Sequence, residues 1–407
     1  MVNKIKKAFL YAKQGSFFYH LWVYVFLELK FYKFYNLFSW KDKINSNKIV
    51  FSNYFGAGYG DNSKYLAAYV LSNKLPYELV WLVDKRRRND KDEMPSAIRK
   101  VSIYSFAALK ELSTAKFWID NCRKNFFPCK KTGQIYIQTW HGGPAVKKIE
   151  KDAFLLPAKY IRMAKKDSNA TDYLISNCDY MTSILEKCFW FNGQILNYGI
   201  PRNDIFFDAE KVSIVKRKIE HFFNFKNGSK TILYAPTFRA SESLKPYSID
   251  YKKLKTELSN KFGGEWNILI RLHPNVMKLA NELCIPDFVI NASAYSDVQE
   301  LLCASDILIT DYSSIMFDFS LQKRPVFLFC TDIDSYQSND REFYFQPQEL
   351  PFAFSENNDE LIKNISQYDE QNYKNKLNNW KNFIGIHDNG TSCKKIINLI
   401  LGEGFSL

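Results

Sequence analysis

The sequence predicts an α/β protein built from two successive halves, and three observations carry that prediction. From residue 48 onward, short β-rich runs alternate with helical stretches, the signature of strand-helix-strand units. A polar, charged, helix-like run over residues 208–226 interrupts the alternation, and strands restart at Thr231. The length of 407 residues has room for two domains at about 150 residues each or for one large one.

In chain order, the first half opens with KIVFSNYF, a Gly-rich turn, NSKYLAAYVLSN and YELVWLV, and continues through AKFWID, QIYIQTW and DYLISN. The second half runs through KTILYAPTF, WNILIRLHP, FVIN, DILITDY and RPVFLFC. The loop Gly56-Ala57-Gly58-Tyr59-Gly60-Asp61-Asn62-Ser63 is neither G-x-G-x-x-G nor a P-loop, so it is expected to have no nucleotide role. It reads as a strand-to-helix loop with Asp61 or Ser63 as the cap.

Composition excludes a disordered, collagen-like or disulfide-scaffold chain, with 46% hydrophobic and 24% charged residues. Eight cysteines are scattered without a C-x-x-C pair or a short Cys/His cluster, which suits reduced thiols in the cytosol and suggests no metal site. Residues 17–29 (FFYHLWVYVFLEL) form the only long apolar run, too short to span a bilayer, and bulky residues follow where a signal peptidase needs small ones. The net charge of +13 favours an anionic partner: nucleic acid, an acidic membrane or a phosphorylated substrate. No groove-reading module appears, which argues against nucleic acid. Residues 1–48 hold nine lysines against Glu28 and Asp42, a net +7. Twelve Phe, Tyr and Trp residues are interleaved with them between Phe17 and Trp40. That mixture suits a helix lying in an anionic headgroup layer; the alternative is an aromatic helix packed on the body with its lysines in water.

Four motifs fall where strands end, the edge at which open α/β sheets bind ligands. His141, in Gln138-Thr139-Trp140-His141-Gly142-Gly143-Pro144, has a side chain that titrates near neutrality, and flanking glycines permit close approach of a substrate. Arg271-Leu272-His273-Pro274 offers a cation and an imidazole, and Thr237 and Arg239 in APTFR offer a hydroxyl and a guanidinium, groups that fit phosphate. Thr310-Asp311-Tyr312-Ser313-Ser314 runs from a strand into a helix, placing Ser313 and Ser314 where hydroxyls and free N–H groups bind a phosphate or, with no ligand, simply cap the helix.

Together and in this order, the blocks KIVFSNYFGAGYGDNSKYLAAYV, QIYIQTWHGGPAVKKIEKD, YLISNCDYM, NYGIPRND, ILYAPTFR, IRLHP, ELLCASDILITDYSSIMFDF, RPVFLFCTDIDSY and HDNGTSCKKIINLI resemble the CDP-glycerol:poly(glycerophosphate) glycerophosphotransferase family, which builds teichoic acids and some capsular polymers. The resemblance covers about residues 48–400. It implies a GT-B-like fold, two Rossmann-like domains facing a central cleft, and work at the cytoplasmic face of the membrane. The expected domains are a basic aromatic membrane-associating segment (1–47), an acceptor-side domain (48–210), a CDP-donor domain (211–385) and a C-terminal helix (386–407). By matched position, His141 is the general base, with His273 the second catalytic histidine at the donor's pyrophosphate. Thr237, Arg239, Arg271, Thr310, Asp311, Ser313 and Ser314 form the donor site. The implied reaction moves glycerol phosphate, or another polyol phosphate, from CDP-glycerol or CDP-ribitol to a hydroxyl of a lipid-linked or growing glycan and releases CMP. No tightly bound cofactor is implied, and a Mg²⁺ requirement is left open. The rival is a nucleotide-sugar glycosyltransferase of the same fold, which would release a nucleoside diphosphate. The chain departs from the family pattern at Gly143, often Thr, and at Glu342 and Gln346, often Gly and Asp.

Overall fold

The structure, a computed structural model, describes residues 17–84, 86, 94–154, 156–239, 245–272 and 285–402. His273 and Cys284 lie outside them, and the seven described cysteines are free thiols. Thirteen strands among the described residues form two sheets in which every pairing is parallel. The first holds β1 (Asn45–Ser52), β2 (Glu78–Val83), β3 (Arg99–Ser102), β4 (Ala115–Asp120), β5 (Ile135–Gln138), β6 (Tyr173–Ser176) and β7 (Gln194–Asn197), in the order β3-β2-β1-β4-β5-β6-β7. The second holds β8 (Lys230–Ala235), β9 (Trp266–Ile270), β10 (Val289–Asn291), β11 (Ile307–Thr310), β12 (Val326–Phe329) and β13 (Ala353–Ser355), in the order β10-β9-β8-β11-β12-β13. This is the GT-B-like pair of Rossmann-like sheets that the resemblance implied.

Parallel strands covered by helices on both faces read as continuous apolar runs, which is why β2 (ELVWLV) and β11 (ILIT), buried along nearly their whole length, stand out in the sequence. The strands the sequence does not announce, β3, β7 and β13, all lie at sheet edges. With one neighbour and partial exposure, they need no apolar run. The charged stretch after β7 forms the helix Ala209–Phe222, capped by Asp208, whose carboxylate accepts from Lys211 N at 3.0 Å.

The chain then crosses back. Helix Glu370–Ile384 reaches the first half's helix Asp179–Cys188, and helix Ser392–Leu401 packs on helix Asp61–Ser72, where Cys393, Ile396, Ile397 and Ile400 join the core of the first sheet. Further ties fasten the halves. Tyr344 N donates to Val146 O at 2.7 Å and Lys148 N to Glu342 O at 2.8 Å, while Lys148 Nζ meets the Glu342 carboxylate at 2.9 Å. Glu342, one of the departures from the family pattern, therefore sits in the seam. Lys64 binds Asp297 and Glu300 from the other half at 2.5 and 2.8 Å.

The N-terminal segment forms the helix Phe17–Leu27 and two 3-10 turns, Phe31–Leu37 and Ser39–Lys41. Val23, Phe26 and Tyr32 are buried with Tyr104, Trp118 and Phe126, and Trp22 Nε1 donates to Tyr104 O at 2.7 Å. Packing against the body therefore accounts for the inner face. The outer face leaves Phe18, Leu21, Leu29, Phe34, Leu37, Phe38 and Trp40 in water, beside exposed Lys30, Lys33, Lys41 and Lys43. Among the described residues no helix is long and apolar enough to cross a membrane.

Candidate functional site

His141 stands three residues beyond the end of β5. Its Nδ1 lies 2.7 Å from the carbonyl oxygen of Asn121, just past the end of β4. A carbonyl only accepts, so Nδ1 carries the proton and Nε2 keeps its lone pair. Asn121 is itself held: its amide donates to Asn53 Oδ1 at 2.8 Å, and its Oδ1 accepts from Tyr54 N at 2.9 Å. The imidazole packs against the rings of Trp140 and Tyr54, with centroids 4.1 and 5.2 Å away. Burial pushes its pKa below the usual histidine value, against a smaller upward pull from the Asn121 carbonyl. The ring is therefore neutral at neutral pH and able to take a proton.

The loop after His141 meets the second half directly. A Cβ added to Gly142 would stand 3.1 Å from Ser314 Oγ, so the glycine allows the His141 turn to touch the Ser313-Ser314 turn at the end of β11. Ser314 precedes the six-residue helix Ile315–Ser320 and makes no side-chain cap, and Ser313 Oγ accepts only a long 3.5 Å bond from Ile315 N.

The other site candidates divide into two layers. Thr310 is fully buried, and its hydroxyl donates to Ala235 O at 2.7 Å, within the sheet. Asp311 accepts from Thr237 N at 2.9 and 3.0 Å, from Thr237 Oγ1 and from Tyr312 N. Arg239, 2% exposed, pairs with Asp311 at 2.9 Å and Asp332 at 2.6 Å and donates to Thr237 O. Its guanidinium also lies 4.8 Å from the ring centroids of Tyr312 and Tyr336. Arg239 is thus committed to protein groups and braces the edge from beneath. Arg271 has no carboxylate within ion-pair distance among the described residues; it donates to Tyr295 O, and burial lowers its pKa. His273 falls outside the described residues.

A connection that the motif reading did not supply is Arg202. Its guanidinium bonds both oxygens of Asp61 at 3.2 and 3.0 Å, the His141 carbonyl at 3.0 Å, and Asp318 in the helix after Ser314 at 2.9–3.0 Å. Asn62 adds a bond to Trp140 O at 2.9 Å and accepts from Arg202 N. The Gly-rich loop therefore does not cap its helix as expected. Gly60 occupies the cap position without a side-chain bond, Asp61 turns to Arg202, and Ser63 donates to Ser52 O. The only trace of this in the sequence is a charged PRND run in an otherwise apolar stretch. Asn121 left none, since 20 residues separate it from His141. Among the described residues no three His, Cys, Asp or Glu side chains gather as metal ligands.

The sequence pattern of the CDP-glycerol:poly(glycerophosphate) glycerophosphotransferase family matches residues 34–402. The chain belongs to this family. The match begins earlier than the first block recognisable by eye and takes in the end of the N-terminal segment. The chain is 33% identical over 378 residues to the teichoic acid poly(glycerol phosphate) polymerase of Staphylococcus epidermidis, covering 90% of this chain and 52% of that protein. It is 31% identical over 373 residues to the enzyme of the same description from Bacillus spizizenii, covering 88% and 93%. It therefore spans about half the length of the first and nearly all of the second. A structure of a variant of the wall teichoic acid polymerase TagF soaked with CDPG superposes with a TM-score of 0.79 at 32% identity, covering 91% of this chain and 92% of that one. His141, Arg202 and the Ser313-Ser314 turn all lie inside the region shared with this glycerophosphotransferase family.

Proposed function

We propose that this protein transfers glycerol phosphate from CDP-glycerol to a hydroxyl of a growing or lipid-linked teichoic acid glycan and releases CMP. The observation that carries the reading is the neutral His141, with Nδ1–H held by Asn121 O at 2.7 Å, on a turn touching Ser314 of the opposite half. In this reading the acceptor oxygen attacks the phosphorus of the glycerol phosphate, and His141 Nε2 takes the hydroxyl proton. The bond from that phosphorus to the bridging oxygen breaks, and the electron pair leaves with CMP. A positioned base of this kind contributes about 10²–10⁴ in rate, and the remaining work is charge neutralisation and alignment. In this reading Ser313, Ser314, Thr237 and Arg271 face the donor's pyrophosphate, His273 is assigned to the same group by its motif alone, and Thr310, Asp311 and Arg239 hold that edge in place.

The same proposal places the protein on the cytoplasmic face of the membrane. The exposed aromatics of residues 18–40 lie among four exposed lysines, a pairing suited to an anionic bilayer surface where each lysine contributes up to about 1 kcal/mol. Incubating the purified protein with CDP-glycerol and teichoic acid acceptors, then weighing the products, tests the reaction. Acceptor gaining a glycerol phosphate with release of CMP supports it; release of a nucleoside diphosphate, or no transfer, overturns it.

A further inference from the structure

The seam between the halves holds a cation that the preceding reading does not use. Lys147 lies six residues after His141, between Val146 and Lys148, whose backbones pair with Tyr344 and Glu342 of the second half. Lys147 itself bridges to Phe343 in the same antiparallel pairing. The pairing carries its amine to the second half, where Nζ stands 5.9 Å from the ring centroid of Tyr336. Tyr336 also packs at a tilt, with centroids 4.3 Å apart, on Tyr312, the residue between Asp311 and Ser313, and lies against Arg239. Lys147 thus belongs to the chain of the first half but sits at the donor edge of the second.

The amine has no directly paired counter-ion among the described residues. Among the described residues no carboxylate lies within ion-pair distance of Nζ and no group accepts a hydrogen bond from it, unlike its neighbour Lys148, which has Glu342. The charged groups facing it are Asp311, Arg341, Arg239 and Asp340. Asp311 is already taken by Arg239 and Thr237. Loss of water around the amine, with the two arginines adding to it against Asp311 and Asp340, brings its pKa down to about 8. A half-buried ammonium in this position is under-compensated, and a phosphate is the group that supplies the missing acceptors and charge.

We propose that Lys147 binds the donor's diphosphate from the acceptor side, so that one seven-residue stretch, His141 to Lys147, delivers both the base, His141, and a neutralising cation. The proposal rests on the donor site described above. It gives the 146–148 and 342–344 pairing a role: an enzyme with that pairing open would lack the cation, so transfer requires the two halves to be joined.

Two linked readouts test it. Near pH 7 the Lys147→Met variant should bind CDP-glycerol about ten-fold or more weakly, the loss of one charge-assisted phosphate contact, with an unchanged melting curve. Lys147→Arg should bind within a few-fold of the native protein. A diphosphate diester holds no titrating proton near pH 8.5, so calorimetry in buffers of different ionisation enthalpy reads protons taken up by the protein. The native protein should take up roughly half to one proton per CDP-glycerol bound as the amine becomes fully charged. Both variants should take up little, since arginine is charged beforehand and methionine never is. Native-like affinity and proton uptake in Lys147→Met would overturn the proposal while leaving the donor site standing. A native protein that does not bind CDP-glycerol would overturn both.

Discussion

Replacing Arg202 with methionine tests whether the two halves of the site are held by buried charge. Arg202 is 5% exposed and Asp318 is 2% exposed, and the pair meets at 2.9 Å while Asp61 takes the other side at 3.0 Å. Methionine fills much of the volume but leaves two carboxylates without their cation and the His141 carbonyl without its donor. Removing one partner of a buried pair costs about 3–5 kcal/mol, and the partial access of water to Asp61 places the expectation toward the lower end. The sign of the pH dependence is specific. Burial raises the Asp318 pKa, and Arg202 and Asn203 pull it back down; without Arg202, of these two only the Asn203 hydrogen bond remains to oppose the upward push. A carboxyl whose folded pKa exceeds its unfolded value of about 4 is stabilising at low pH and loses that contribution as pH rises through the folded pKa. The deficit of Arg202→Met relative to the native protein should therefore shrink as pH falls from 8 toward 5. Adding Asp318→Asn removes the more deeply buried of the two stranded charges and should restore about 1–2 kcal/mol. Urea unfolding followed by tryptophan fluorescence reads these differences. A cost below about 1 kcal/mol, or a double variant less stable than Arg202→Met, would refute the account of the clamp.

His141→Ala should lower turnover by about 10²–10⁴ while leaving CDP-glycerol affinity and the melting temperature near native values, since the imidazole acts on the acceptor proton. With its pKa depressed by burial, the native enzyme should keep its base at pH 6.5 and lose kcat/KM only below that value; an acid limb centred at or above 6.5 would speak against a neutral buried imidazole. His273→Ala and the double change Ser313→Ala with Ser314→Ala should each weaken CDP-glycerol binding by about ten-fold or more in calorimetry, and unchanged affinity in both would move the pyrophosphate elsewhere. At the N-terminus, Phe34→Ser with Phe38→Ser and Trp40→Ser should reduce sedimentation with anionic vesicles at constant melting temperature, because these side chains are exposed. Phe26→Ala, which empties a fully buried position, should instead cost about 3–5 kcal/mol of stability, and equal vesicle binding by native and triple variant would leave the outer face without a membrane role.

The α/β class and the two-part organisation were legible in the sequence because central parallel strands must be apolar on both faces. VFS in β1, LVWLV in β2 and ILIT in β11 could not be mistaken for surface. The same physics puts ligand sites at the carboxyl ends of such strands, so His141, Thr237, Arg271 and the Ser313-Ser314 turn could be singled out as candidates from one-dimensional pattern alone. Edge strands β3, β7 and β13 escaped because a partly solvated strand with one neighbour carries no obligatory apolar run. The amphiphilic N-terminus was legible only as a composition, since period and charge allow either face of a helix to be the buried one; packing of Val23 and Phe26 on Trp118 and Phe126 decided that. What no local pattern held is how residues 20 to 196 apart in sequence complete one another. The proton on His141 Nδ1 is set by a carbonyl at Asn121, Arg202 joins Asp61 to Asp318, and Lys147 is brought beside Tyr336 by pairing with residues 342–344. A hydrogen bond or ion pair constrains distance in space and leaves the spacing along the chain free, so these partners became identifiable only in the folded chain.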